Sequence, residues 1–171
     1  ASLVAMEFDS MLPKGETPRD TEGYEGFYHL LSMEGECALA KLHYIIRDHD
    51  AEKFEQRKKV MKQITDDLNQ KWGDGTVILT LKDQYRNMSE IIAQHMHLID
   101  NAKKVGLTPQ CLPIRGGTDG CQLSFRGLPC PNLGTGGHAY HGPYEHITVE
   151  GMEKAVDMIT ELVKIYSTQC K

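Results

Sequence analysis

The sequence predicts an α/β protein whose first part is an α+β layer and whose last part is the edge of a larger sheet. Two alternating runs, residues 26–33 and 37–47, flank a Glu-Gly-Glu turn, which favours an antiparallel hairpin. Amphipathic helical patterns cover residues 51–70 and 90–105. The chain then becomes dense in glycine and proline before a last helical pattern, so its organisation changes near residue 106.

Local signals support each element of the first part. Apolar spacing in residues 1–12 predicts a helix, and Pro13 ends it. Asp50 is placed to cap the helix that follows it, and Gly73 to end that helix. Residues 76–82 alternate again and predict a third strand. Its two faces would be Val77, Leu79 and Leu81 against Ile78, Thr80 and Lys82.

The helix over residues 90–105 has Asn87 or Ser89 as candidate N-cap and Gly106 as candidate C-cap. Beyond it the sequence predicts a short strand, a helical turn, another short strand and a last helix, over residues 112–115, 120–125, 130–134 and 146–166. Thr148 is the candidate N-cap of that last helix. This order is typical of the edge of a parallel sheet.

Composition and charge exclude several classes of function. The 171 residues carry 19 Lys and Arg against 24 Asp and Glu, a formal net charge of −5, which argues against a nucleic-acid groove. No apolar run approaches the roughly 20 residues of a membrane helix. Five cysteines without a C-x-x-C pair indicate neither a disulfide framework nor a cysteine zinc site. We therefore expect a cytoplasmic protein with no nucleic-acid or membrane partner.

Arg115 and His141 are the strongest chemical candidates in the glycine-rich region. Arg115 follows a predicted strand and precedes two glycines, a setting that suits bidentate capture of a carboxylate. A structural pairing of Arg115 with Asp119 is the alternative. His141 lies on a glycine-rich loop, where its imidazole is free to orient toward zinc or is satisfied by backbone.

Several motifs stand out along the chain. In the second half they are RGGTDG, GLPCPNL, GGHAYHGPYE and VEGMEKAV, at residues 115–120, 127–133, 136–145 and 149–156. In the first half they are TEGYEGFYHL, LHYIIRDHD and YRNM, at residues 21–30, 42–50 and 85–88. Together they cover nearly the whole chain in order and without large gaps, and they resemble the tripeptide aminopeptidases of the M20 zinc metallopeptidase family.

The resemblance implies a fold and an incomplete activity. Residues 1–106 correspond to most of a lid or dimerisation domain, which in the family is a four-stranded antiparallel sheet with two helices. Residues 107–171 correspond to the C-terminal part of the α/β catalytic domain, whose missing N-terminal half would be a partner. The family uses two zinc ions, and most metal ligands and the general base lie in that half.

Roles for individual residues follow from the same resemblance. His141 matches the metal-binding histidine that comes after an aromatic residue. Arg115 matches the group that holds the C-terminal carboxylate of the substrate. Asn87 matches a lid asparagine that reaches the substrate, and a simple N-cap is its alternative role. The pocket wall would be shaped by Gly116, Gly117 and Thr118.

We therefore expect part of a zinc-dependent tripeptide aminopeptidase, which releases the N-terminal residue of tripeptides. We expect it to be inactive alone, because it offers one metal ligand, His141, and zinc sites take three or four protein ligands. No catalytic residue is assigned to this chain. The alternative is a non-catalytic interaction module, in which the edge of the lid sheet makes a homodimer contact.

Overall fold

The computed structural model describes residues 1–105 and 108–169. Their contacts form two compact units. The first unit is Ala1–Asn87 with Leu112–Gly117, and the second unit is Met88–Cys111 with Thr118–Lys171. The boundary expected at residues 106 and 107, and the C-cap expected at Gly106, lie outside the described residues. The division into a lid domain and a catalytic part stays a prediction.

The first unit is an α+β layer, as the sequence predicts. Its regular elements are α1 (Ser2–Met11), β1 (Phe27–Gly35), β2 (Ala40–Arg47) and α2 (Ala51–Trp72). The two strands form the predicted antiparallel hairpin, with Tyr28 opposite Ile46 and Met33 opposite Leu42. The mixed α/β class is thereby confirmed for the part of the molecule in which the sequence pattern is clearest.

Caps set both ends of α2. The Asp50 carboxylate accepts hydrogen bonds from the backbone N–H groups of Glu52 and Lys53 at 2.9 and 3.0 Å, which confirms the predicted N-cap. Gly73 follows the last turn with φ 106°, a value that L side chains rarely adopt. The glycine therefore ends the helix where the sequence predicts.

The core of the first unit lies between the two helices and the hairpin. Leu68 of α2 is its most buried large side chain, at 1% exposure. The buried cluster consists of Phe8, Leu12, Tyr28, Met61, Ile64 and Leu68. Half-buried residues of β2 and of the segment after α2 pack against that cluster, so this segment belongs to the layer.

Residues 76–82 do not form the predicted third strand. They are all described, and none of them pairs with β1 or β2, whose sheet has two strands. The predicted alternation nevertheless holds in their burial: Val77, Leu79 and Leu81 are half-buried, whereas Ile78, Thr80 and Lys82 are exposed. The prediction is wrong about the backbone ladder, because no neighbouring strand lies in hydrogen-bonding position.

The described residues of the second unit form four helices and one short strand pair. Its elements are α3 (Ser89–Ala93), α4 (Met96–Val105), α5 (Asp119–Phe125), β3 (Gly137–His138), β4 (His146–Ile147) and α6 (Val149–Gln169). The single helix expected over residues 90–105 is divided between α3 and α4, and its N-cap residue is Met88 rather than Asn87 or Ser89. The helical turn expected at residues 120–125 is confirmed as α5.

The strands expected at residues 112–115 and 130–134 are wrong. Both segments are described, and neither pairs with another strand. Leu112 is 73% exposed, so an apolar run does not form a strand when no neighbour covers it. Among the described residues the second unit has only the antiparallel pair of β3 with β4, and not the expected parallel edge.

The last helix, α6, begins at Val149 and not at residue 146, because His146 and Ile147 pair with β3. The Thr148 hydroxyl accepts a hydrogen bond from the N–H of Gly151 at 3.0 Å, which confirms the predicted cap. An apolar stripe of α6 is about half exposed or more: Val149, Met152, Val156, Ile159 and Val163. None of the described helices has the combination of length and apolarity that a bilayer crossing requires.

Candidate functional site

Arg115 is held in the first unit by the loop that leads into β1. Its Nη1 donates to the carbonyl of Thr21 and its Nη2 to the hydroxyl of Thr21, both at 2.5 Å. The guanidinium carbon lies 4.7 Å from the centre of the Phe27 ring. The Nε atom is buried and has no hydrogen-bond partner among the described residues. Neutral acceptors and an aromatic face therefore orient this cation.

His49 connects the loop that holds Arg115 to the segment that carries Arg115 and to Asn87. Its Nδ1 lies 3.3 Å from the carbonyl of Tyr24, and its Nε2 lies 3.2 Å from the carbonyl of Ile114, next to Arg115. A carbonyl oxygen only accepts, so the ring N–H donates in whichever of the two contacts the tautomer allows. The carbonyl of His49 itself accepts from Nδ2 of Asn87 at 2.8 Å. Asn87 is thus fixed near this loop and does not cap α3.

Gly117 is packed against an aromatic ring. A Cβ atom at this position would lie 2.4 Å from carbons of the Tyr85 ring, far inside van der Waals contact. The same ring lies under the guanidinium of Arg47, at 5.3 Å from its centre, and burial lowers the pKa of Arg47. A Cβ at Gly116 would meet no atom within 4 Å. Gly117 therefore allows the Tyr85 ring to approach the backbone closely, whereas Gly116 faces open space.

Thr118 belongs to the second unit and caps α5. Its hydroxyl accepts a hydrogen bond from the N–H of Cys121 at 3.2 Å. Behind this cap, Gly120 lies so close to the carbonyl of Cys130 that a Cβ would approach it to 2.5 Å. Thr118 thus has a structural role as the cap of α5. Its expected role in a pocket wall stays a prediction.

His141 lies in the second unit, in the loop that joins β3 to β4. Its φ is 62°, and that of Ala139 is 54°, so two residues with side chains occupy the left-handed region within three positions. The backbone N–H of His141 donates to the carboxylate of Glu145 at 3.0 Å. Such conformations cost on the order of 1–2 kcal/mol per residue, so the loop holds His141 exposed at a cost in stability.

The other histidines of this hairpin interact with each other. His138 and His146 are opposite residues of β3 and β4, and their rings stack at 5.3 Å between centres. Across the described residues, no group of three or more His, Cys, Asp or Glu is placed to hold a metal ion. His141 is therefore suited to supply one imidazole ligand, and the described residues do not fit a complete zinc site.

The candidate residues divide between the two units. Arg115, Asn87, Gly116 and Gly117 belong to the first unit, where His49 links the segments that carry them. Thr118 and His141 belong to the second. Sequence reasoning missed His49. The available signal was its position after β2 and directly before the Asp50 cap, where a side chain reaches the loops at the end of the hairpin.

The same chain is similar to known peptidases over nearly its whole length. Peptidase T of Halothermothrix orenii is 52% identical over 171 residues, which cover 98% of this chain and 42% of that protein. Peptidase T of Clostridium perfringens is 53% identical over 169 residues, with 96% and 42% covered. The chain is a homologue of peptidase T. No family model matches it.

The peptidase T relatives are longer than this chain, which spans about two fifths of their length. Solved structures agree in fold. A tripeptidase from Staphylococcus aureus superposes with a TM-score of 0.61 at 20% identity, covering 96% of this chain and 44% of that one. An aminopeptidase from Bacillus cereus gives 0.56 at 18% identity, covering 94% and 44%. The expected resemblance and the mixed α/β class are both confirmed.

Proposed function

We propose that the chain is part of a zinc-dependent tripeptide aminopeptidase, a hydrolase that releases the N-terminal residue of tripeptides. It would act in the cytoplasm, and only when joined to the part of the catalytic domain that it lacks. The observation that carries the proposal is sequence identity: about half of the residues are identical to those of peptidase T in an alignment that covers nearly the whole chain. A scaffold that shared only the fold would not need that agreement.

Arg115 is proposed to bind the C-terminal carboxylate of the substrate. Its outer nitrogens donate to neutral oxygens of Thr21, and a carboxylate would replace these with a bidentate pair of bonds between two ionised groups. The contact with Phe27 keeps the plane of the guanidinium fixed while its partners change. Open space at Gly116 gives a ligand access, and the Asn87 amide is attached to the same region through His49.

His141 is proposed to contribute one zinc ligand. Bound zinc would supply a Lewis acid and an activated water for hydrolysis. The described residues offer no second and third ligand beside His141, and zinc sites take three or four. We therefore assign this chain a share in binding and orientation, and no catalytic residue. The remaining ligands and the general base are expected from the missing half.

A chimera tests this proposal. The matching segment of the Clostridium perfringens peptidase T is replaced by this chain, and tripeptide hydrolysis and zinc content are measured on the chimera and on the chain alone. We expect hydrolysis by the chimera only. His141→Ala should reduce the activity at least a hundredfold and lower the zinc content. His138→Ala, on the same hairpin, is the matched control and should retain both.

Arg115→Lys gives a second readout in the chimera. Lysine keeps the charge and loses the planar fork, so we expect KM for tripeptides to rise at least tenfold. Two results would contradict the proposal: a folded, zinc-loaded chimera without activity, or zinc-dependent hydrolysis by the chain alone that His141→Ala abolishes. The non-catalytic homodimer module would be favoured if the chimera were inactive and the chain alone formed a dimer that a metal chelator does not dissociate.

A further inference from the structure

Two contacts join the segment that carries Arg115, residues 112–117, to the loop of residues 21–25 in the first unit. In the first contact, the guanidinium of Arg115 donates to both oxygens of Thr21 and, at 3.4 Å, to the carbonyl of Glu25. A carboxylate bound to Arg115 would take the same guanidinium nitrogens, so the proposed binding of substrate breaks this contact. The segment keeps its place during binding only if another contact holds it.

His49 supplies the second contact. Its ring lies between two carbonyl oxygens, with Nδ1 at 3.3 Å from that of Tyr24 in the loop and Nε2 at 3.2 Å from that of Ile114 in the segment. A neutral imidazole donates one N–H and an imidazolium donates two, whereas the carbonyl oxygens only accept. Neither oxygen is a partner of the guanidinium, so a carboxylate bound to Arg115 does not compete for this contact.

Further contacts orient the His49 ring and attach a third predicted position to it. The ring meets that of Tyr24 edge to face, at 5.0 Å between centres and 67° between planes. The backbone carbonyl of His49 accepts from Nδ2 of Asn87 at 2.8 Å. One residue therefore contacts the loop that holds Arg115, the segment that carries Arg115 and the asparagine that is expected to reach the substrate.

The backbone of His49 is attached to α2 through the residues on either side of it. The Asp48 side chain is only 2% exposed, and its carboxylate accepts from Nε of Arg57 in α2 at 2.8 Å and from the N–H of Asp50 at 3.0 Å. Asp50 is itself the cap of α2. Because side chains supported by a helix are placed more precisely than those on a loop, α2 fixes the position of the His49 donors.

We infer that His49 is a positioning residue for the site that binds the C-terminal carboxylate of the substrate. It keeps the loop and the segment together when the carboxylate displaces Thr21 from the guanidinium, and so keeps both outer nitrogens of Arg115 aimed at the ligand. It acts through Arg115 and does not touch the reacting atoms. The inference rests on the proposed function, to which it adds a second residue that determines binding of the carboxylate.

Trypsin cleavage tests the His49 contact on the chain itself. Trypsin cuts after Arg115 only when the segment opens, and the rate of cleavage follows the population of the open form when reclosing is fast. His49→Phe keeps an aromatic ring beside Tyr24 and loses both N–H donors. We expect it to be cut after Arg115 at least fivefold faster than the parent chain. The bond after Arg126, in the second unit, is the internal control and should be cut at the parent rate.

Kinetics of the chimera separate a role in binding from a merely structural one. We expect His49→Phe to raise KM for trialanine at least tenfold and to change kcat less than threefold. His49→Gln keeps an amide that can donate to one carbonyl, so its KM should lie between those of the parent chimera and His49→Phe. Trialanine amide lacks the carboxylate, and its kcat/KM should be the same for the parent chimera and His49→Phe. A merely structural role would lower kcat/KM equally for both substrates.

The two experiments distinguish failure of the inference from failure of the proposed function. An active chimera in which His49→Phe leaves KM for trialanine unchanged would overturn the inference and leave the function standing. An inactive chimera would contradict the function. The trypsin experiment would then decide alone: faster cleavage after Arg115 would support the His49 contact, and equal cleavage would overturn it. If His49→Phe does not fold, His49→Leu, which also lacks a donor, takes its place with the same expected results.

Discussion

At the scale of single residues, Gly117 sets the most stringent steric condition in the loop that carries Arg115. We expect Gly117→Ala to reduce the free energy of unfolding by about 1–3 kcal/mol, since the added methyl would overlap the Tyr85 ring and force it to move. Urea denaturation measures the change. Gly116→Ala is the matched control, because a Cβ there meets no atom within 4 Å. Equal losses at both positions would show that the Tyr85 contact is not the cause.

Arg115 shows what a residue-level pattern can and cannot predict. The arginine followed by two glycines predicts a guanidinium that binds a carboxylate, and this role stays a prediction. Its partners, Thr21 and Phe27, lie about ninety residues earlier in the chain, and no local pattern identifies them. His49 was missed for the same reason, since its contacts with Tyr24 and Ile114 join segments that are distant in sequence.

At the scale of elements, the Asp50 cap of α2 makes a pH-dependent contribution to stability. Hydrogen bonds from the backbone N–H groups of Lys53 and Glu52 lower the pKa of Asp50 below its ordinary value. A carboxyl whose pKa is lower in the folded state stabilises that state above the unfolded pKa, near 3.8. The contribution is lost as pH falls through the folded pKa.

Two substitutions at Asp50 separate the cap from its charge. Asp50→Ala removes the acceptor, so we expect a lower melting temperature at pH 7. Asp50→Asn keeps an acceptor but loses the charge, so we expect its melting temperature at pH 7 to lie between those of the parent chain and Asp50→Ala. The stability difference between the parent chain and Asp50→Asn should shrink as pH is lowered from 5 to 3, as followed by thermal melts. A difference that does not change with pH would contradict the assigned role of the carboxylate.

The sequence predicts an element correctly where one face of that element is buried against another helix or strand of the same unit. The helices α1 and α2 and the hairpin of β1 with β2 have such partners, and their patterns predict them correctly. Residues 76–82 show the right side-chain period and no ladder, because pairing depends on a neighbouring strand and not on the segment itself. Likewise, the apolar periodicity continues from α3 into α4, so the sequence pattern does not reveal that the helix is divided there.

At the scale of the whole molecule, the chain exposes apolar surface that a single copy does not cover. The α6 stripe has Val149, Val156 and Val163 each more than 60% exposed. Monomeric proteins rarely expose contiguous apolar patches of this kind, so we expect the chain alone to self-associate and to bind a dye specific for apolar surface. A net charge of −5 gives only modest electrostatic repulsion against that association.

Charge-matched variants identify the cause of this association. Val156→Glu with Val163→Glu places two carboxylates on the apolar stripe of α6, whereas Lys154→Glu changes the net charge by the same amount at an exposed lysine of the same helix. We expect the double variant to remain monomeric at concentrations where the parent chain associates, measured by sedimentation velocity, and Lys154→Glu to behave like the parent chain. If both variants became monomeric, general charge repulsion would explain the result. If neither did, the association would arise elsewhere on the chain.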